Sequence, residues 1–163
     1  MVKTVGLETI IWDDKKEELL LLDQRVVPDK VSYVRCRTYR DVAEAIRNMT
    51  VRGAPAIGVA AAFGIALAAL KSKAKTRKAL LTRVQQARTT LSKTRPTAVN
   101  LFWALDRMTK KAEALDLEPI EAAEQLVEEA KKIMEEDVRV NKAIGRLGAE
   151  LIPDGARILT HCN

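Results

Sequence analysis

Residues Ala54 to Leu70 run for 17 positions without a charge, and no other stretch restricts the fold as strongly. A membrane-spanning helix needs roughly 20 apolar residues. This run is shorter, and ten of its residues are Ala or Gly. It therefore predicts a core helix, apolar on every side and packed against close neighbours. Pro55 suits the first turn of such a helix, and Lys71 marks its far end. Only 4% of the chain is aromatic, so the surrounding core is expected to be aliphatic and alanine-rich. With 163 residues, 47% apolar and 31% charged, the chain is long enough to bury roughly two-thirds of its unfolded surface. That composition excludes a disordered tail or a disulfide miniprotein.

Before the core helix the pattern is that of strands. Val5, Leu7 and Ile11 approach period two. Leu19 to Leu22 is a short apolar run after the charged turn Asp13-Asp14-Lys15-Lys16, and Val31, Tyr33 and Val34 suggest a third strand after Pro28-Asp29. A small antiparallel sheet is expected. Thr38 followed by Asp41 reads as a capping box, with Val42, Ile46 and Met49 on one helical face. After the core helix, Leu80, Val84, Ala87 and Leu91 space another helix. Pro96 opens the next, through Val99, Phe102, Leu105 and Met108, and Phe102 and Trp103 are expected in the core. Pro119 opens a longer helix, with Ile120, Ala123, Val127, Ala130, Met134, Val138, Asn141, Ile144 and Leu151 near one stripe and Asn141 as a satisfied polar core group. Pro153-Asp154-Gly155 is a turn, and Arg157 to Thr160 reads as a new strand. A single strand leaves its backbone groups without partners. The pattern thus implies an N-terminal piece of a larger protein, or a chain that needs a second one.

The formal charge is +6. Basic residues are spread along the chain without a Lys/Arg arm, so a solvated basic surface is expected, with no nucleic acid and no membrane as partners. Two cysteines, Cys36 and Cys162, make no disulfide framework. Glu8, Asp13 and Asp14 near the start exclude a secretory leader, and a reducing cytoplasm is the expected compartment.

Three features could carry chemistry. The block Val51-Arg52-Gly53-Ala54-Pro55-Ala56-Ile57-Gly58 sets an arginine and a glycine before a proline-started helix. A helix N-terminus attracts anions through its free N–H groups and dipole, and an arginine fork suits phosphate. Thr94-Arg95-Pro96-Thr97 repeats the device; the two could converge on one anion or cap separate surface helices. Cys162 would lie at the carboxyl end of the last strand, where open α/β sheets place their sites; a buried structural cysteine is the alternative. His161, its neighbour on the strand, faces the other way. Cys36, between Arg35 and Arg37, is expected to be a half-buried strand thiol. There is no metal cluster, Walker loop or Rossmann glycine fingerprint.

Along its whole length the chain resembles the methylthioribose-1-phosphate isomerase family. The resemblance is carried by Ile11-Trp12, Leu22-Asp23-Gln24 with Pro28, the block Val51 to Gly58, Arg95-Pro96-Thr97-Ala98-Val99-Asn100-Leu101 with Trp103-Ala104-Leu105, and Leu159-Thr160-His161-Cys162-Asn163. Archaeal ribose-1,5-bisphosphate isomerases and the regulatory subunits of the exchange factor for translation initiation factor 2 share part of the first block. The resemblance implies an α+β fold: a small N-terminal antiparallel sheet and a helical bundle over residues 1–117, a long connecting helix over 118–152, and over 153–163 the first strand of a truncated Rossmann-like α/β domain. It implies an aldose–ketose isomerase of methionine salvage, without metal or organic cofactor and usually a homodimer. That enzyme converts 5-methylthioribose 1-phosphate to 5-methylthioribulose 1-phosphate. The family's substrate-binding residues fall on Arg52, Gly53, Ala54 and Arg95, and its catalytic cysteine falls on Cys162. Its acid/base aspartate lies beyond that cysteine, outside this sequence, so the chain alone is expected to be inactive. Two rival readings keep parts of this picture: a ribose-1,5-bisphosphate isomerase, and a non-catalytic regulatory module like the initiation-factor subunits.

Overall fold

In the computed structural model, which describes residues 7–160, every residue from Ile57 to Ala69 is buried. That segment belongs to α2 (Ala54–Leu70), and four other helices surround it: α1 (Tyr39–Arg47), α3 (Arg77–Ser92), α4 (Val99–Ala114) and α5 (Pro119–Ala149). All four pack directly on α2. This is possible because ten of the 17 residues of α2 are Ala or Gly, which lets its neighbours come close between the larger Ile57, Phe63, Ile65 and Leu67. A Cβ on Gly58 would lie 2.9 Å from the backbone oxygen of Asn100, so α2 and the start of α4 touch backbone to backbone. Among the described residues, no helix is long and apolar enough to cross a membrane.

The sheet comes first in the chain. β1 (Ile10–Asp13), β2 (Glu18–Leu22) and β3 (Tyr33–Cys36) form an antiparallel sheet in the order β1-β2-β3. Ile10 pairs with Leu21 and Leu19 with Cys36. The β1–β2 turn is closed by Asp13, whose Oδ1 accepts from the backbone N–H groups of Lys15 and Lys16. Leu19 and Leu21 are fully buried, and Trp12 stacks on Phe63 of α2 at 5.1 Å between ring centroids. The sheet thereby covers one side of the helical body. The capping box forms as expected: Thr38 Oγ1 accepts from Asp41 N, and Asp41 Oδ2 accepts from Thr38 N.

Four expectations fail, each for a physical reason. Met49 lies past the end of α1 with φ 63° and is exposed, so it does not extend the Val42–Ile46 face. On α4 the buried stripe is Leu101, Ala104, Leu105, Met108 and Ala112. Val99 and Trp103 are exposed and Phe102 is half-buried, because the helix starts at Val99 rather than Pro96 and presents Leu101 inward. On α5 the stripe is buried only as far as Ile133. From Val138 to Leu147 every residue is exposed, including Asn141, whose side chain donates to Asp137 one turn back. Ile120 is also exposed. The helix keeps its period after it has outrun the body that α2 organises. Finally, the turn at Pro153–Gly155 forms, with Ala156 N donating to Pro153 O and Gly155 at φ 76°. Residues 157–160, however, are exposed and form no strand. Strand backbone needs a partner ladder, and the described strands all lie in the N-terminal sheet.

Candidate functional site

The connection from α1 to α2 is fixed at almost every residue. Asn48 Oδ1 accepts from both the backbone N–H and the hydroxyl of Thr50, and Val51 N donates to Ala45 O. Thr50 and Val51 are buried. Gln24, just after β2, then ties this connection to the sheet. Its N–H donates to Thr50 O, and its side-chain amide donates to Arg52 O at 3.2 Å. Arg52 returns the bond, Nη2 donating to Gln24 O at 3.1 Å. The Nε of Arg52 is buried and has no partner among the described residues. A buried donor without an acceptor carries a desolvation cost of about 1–3 kcal/mol. The guanidinium is thus held at one point, through Nη2, while the backbone that carries it is held at the Arg52 carbonyl, and Nε is left without an acceptor.

Gly53 follows with φ 96° and ψ 130°, a conformation open in practice only to glycine. It is the N-cap of α2, which has no side-chain cap and no acidic residue in its first turn. The N-terminus of α4 shares both properties, with Ala98 as its cap. The other helices differ: α1 has its capping box and Asp41, α3 has the Thr76 hydroxyl, and α5 has Glu121. The two helices whose positive ends are uncompensated are thus the two that follow Arg52 and Arg95.

Both open into one cleft of about 440 Å³, lined from α2 by Pro55, Gly58 and Val59, from α4 by Val99, Asn100 and Trp103, and from α5 by Ile133, Glu136, Asp137 and Val140. The close approach at Gly58 brings these helix starts together. Arg52 and Arg95 stand just before them, half-buried, and neither lines the cleft itself. Ahead of α4, Thr94 is buried with its hydroxyl donating to Leu91 O, and Ala98 N donates to Arg95 O.

One wall of the cleft is held by Arg107. It donates to Glu129 at 2.7 Å and to both oxygens of Glu136, and its guanidinium lies 5.6 Å from the Trp103 ring centroid. The Arg107 bonds hold the Glu136 carboxyl below its ordinary value, and the same bonds raise Arg107. Glu136 therefore stays ionised and paired at neutral pH. Arg107 is shared between two carboxylates and Asp137 also lines the cleft, so this wall keeps a net acidic character opposite the positive helix ends.

Sequence reasoning singled out Arg52, Gly53, Ala54 and Arg95; the two helix starts that follow them meet at one cleft, which none of the four lines. It named Gln24 only within the Leu22-Asp23-Gln24 motif, without its bonds to the Arg52 segment, and it did not single out Arg107. The Gln24 bonds could not be found locally because the partner lies 28 residues away. Cys162 and His161 lie outside the described residues. Cys36 is fully buried, not half-buried. Its flanking arginines do not activate it, since both bind the buried carboxylate of Glu18. Burial pushes its thiol up to about 12. Its contribution to stability is intact below the ordinary value of 9.0 and is lost as pH rises from there towards 12, because the unfolded thiol ionises first. In a Cys162→Ser variant, where Cys36 is the sole thiol, a disulfide reagent at pH 8 is expected to label nothing until denaturant is added. Rapid labelling of the folded protein would contradict the burial.

A family model described as "Initiation factor 2 subunit family" matches residues 50–163. Methylthioribose-1-phosphate isomerase of Pelotomaculum thermopropionicum is 51% identical over 96% of this chain and 43% of its own length. The crystal structure of 5-methylthioribose 1-phosphate isomerase from Pyrococcus horikoshii OT3 superposes with a TM-score of 0.86 at 45% identity, over 92% of this chain and 42% of that one. The structure named translation initiation factor eIF-2B, subunit delta, from A. fulgidus gives the same TM-score of 0.86 at 41% identity, over 97% of this chain and 45% of that one. The chain thus spans less than half the length of these relatives. With the family model covering the site connection, the cleft helices and everything after them, the chain belongs to the initiation factor 2 subunit family.

Proposed function

We propose that the chain supplies the phosphate-holding part of an aldose–ketose isomerase that converts 5-methylthioribose 1-phosphate to 5-methylthioribulose 1-phosphate, a step of methionine salvage. The observation that carries this reading is the pair of uncapped, acid-free helix N-termini at one cleft, each preceded by an arginine. The isomerase names of the relatives support the choice of reaction.

The reaction moves a proton between C1 and C2 of the opened sugar through an enediolate. It needs a group that takes and returns the proton, donors for the developing negative charge, and a fixed handle on the substrate. In this reading the phosphate is the handle. Arg52, with the backbone at Gly53 and Ala54, holds it from the α2 side, and Arg95 from the α4 side. Cys162 assists the proton transfer. The carboxylate that completes the acid/base pair comes from residues beyond this sequence or from a second chain, and the complete assembly is a cytoplasmic homodimer.

The test is a chimera in which residues 1–163 replace the matching segment of the Pelotomaculum thermopropionicum enzyme. It is expected to isomerise 5-methylthioribose 1-phosphate with kcat/KM within about tenfold of that enzyme, while the 163-residue chain alone turns over nothing. A folded but inactive chimera overturns the catalytic reading. It would favour a second one, a non-catalytic sensor of sugar phosphates, to which the likeness to an initiation-factor subunit points. A higher kcat/KM on ribose 1,5-bisphosphate would keep the chemistry and replace the substrate.

A further inference from the structure

The whole-chain charge hides a segregation. From Ala45 through Leu105 there is not one of the chain's 22 Asp and Glu residues, but eleven of its 28 Lys and Arg. The remainder is consequently net negative. The basic residues concentrate around α3, which carries no acidic residue, and on the Lys71–Lys75 connection before it. α3 and α5 both pack on α2 and α4, and the exposed Glu118, Glu121, Glu124 and Glu128 belong to α5 and its N-cap.

Two further depressions, of about 860 and 590 Å³, run along α3 and share Thr82 and Gln86, so they form one trough. At 16 residues, α3 gives the trough a length of about 24 Å. Arg40, Lys73, Lys78 and Arg83 line it, and none of the four is in an ion pair among the described residues. Lys71 is neutralised by Glu17, and the acidic residue that lines the trough is Glu113. The floor between the cations is neutral and hydrogen-bonding: Thr82, Gln85, Gln86 and Thr89. The trough offers no aromatic face for stacking a base. Its tyrosine, Tyr39, is buried, with the guanidinium groups of Arg40 and Arg83 within 5.4 and 5.0 Å of its ring.

The spread of basic residues along the sequence predicts no nucleic-acid partner, but the fold gathers four of them here, and we propose that this trough binds duplex nucleic acid through its phosphate backbone, without reading sequence. Charge complementarity selects a polyanion, and the length lets one groove wall meet several phosphates, which occur once per about 1.7 Å of duplex axis. Lack of a stacking surface disfavours single strands, whose sequence-tolerant binding leans on aromatic platforms. The surface is separate from the cleft of the proposed isomerase and does not depend on it.

The test uses the 163-residue chain and a fluorescent 20-base-pair RNA duplex, read by anisotropy. Four phosphate contacts predict a slope of log affinity against log salt near −3.6, hence about 100-fold weaker binding at 200 mM than at 50 mM KCl. The double variant Lys73→Glu/Lys78→Glu, both exposed and unpaired, is expected to weaken binding at least about tenfold and to reduce the slope by about 2. Lys132→Glu, exposed on α5, is the control and is expected to leave binding unchanged. Absence of binding at 50 mM KCl, or equal weakening by Lys132→Glu, overturns the proposal. Equal displacement of the duplex by poly-glutamate of the same charge also overturns it and makes the trough a site for acidic protein.

Discussion

Arg52→Ala in the chimera is expected to lower kcat/KM at least about 100-fold, with KM raised more than kcat is lowered. Charge-assisted hydrogen bonds contribute about 1.5–3 kcal/mol each, and losing a two-bond grip on phosphate removes about 2.7 kcal/mol or more. A handle is held in the ground state as well as the transition state, so the larger part of the loss falls on KM. Gln24→Ala is expected to cost about tenfold, since it removes the amide bond to the Arg52 carbonyl and loosens the backbone that carries the guanidinium, while the Nη2 bond to the residue-24 carbonyl remains. The double variant should be no worse than Arg52→Ala alone, because the Gln24 amide acts only by positioning the backbone from which the guanidinium extends. Steady-state kinetics on the four proteins decides. If Arg52→Ala leaves kcat/KM within about twofold, the anion site lies elsewhere. If only the Gln24 change is silent, the reciprocal bonds at 3.1 and 3.2 Å merely brace the chain.

Phe63→Ala is expected to cost about 3–5 kcal/mol of folding stability, the range for a fully buried phenylalanine. Phe63 is 0% exposed and stacks on Trp12 with 14° between ring planes. It is also the largest side chain on a helix with ten Ala and Gly among its 17 residues, so little of α2 beside it can collapse into the space. For a domain of this size the melting temperature should fall by roughly 10 °C. Phe63→Leu keeps most of the volume and should cost below about 1.5 kcal/mol. Calorimetry of both variants, with Trp12 fluorescence as a local probe, tests the claim. Equal small shifts would mean that the sheet is not anchored through this ring pair.

What the sequence revealed, and what it hid, divides by the range of the interactions. The α2 core helix, the capping box at Thr38 and the α3 stripe of Leu80, Val84, Ala87 and Leu91 were legible because period and composition are local. So were Arg52 and Arg95, since an arginine ahead of a helix start is a short motif. The α5 stripe misled: Val138, Ile144 and Leu151 keep the period but are exposed. Periodicity marks a face and does not name what covers it. Trp103 misled in the same sense: expected in the core, it is exposed on the cleft wall. The roles of Gln24 and Arg107 were illegible because each acts across the fold, on partners 22 to 29 residues away. The basic trough was obscured by averaging, since acidic residues elsewhere offset it in the charge sum.

The abundance of small residues along α2 also bears on how such a protein can change over generations. Most of that helix already carries the smallest side chains available, so most substitutions there can only add volume. Each addition pushes on α1, α3, α4 or α5, and at Gly58 on backbone that has no rotamer to yield. Drift in the centre is therefore tied to compensating shrinkage in several distant segments at once. The outer helices can vary one by one, whereas α2 sets a ceiling on size that all of them share.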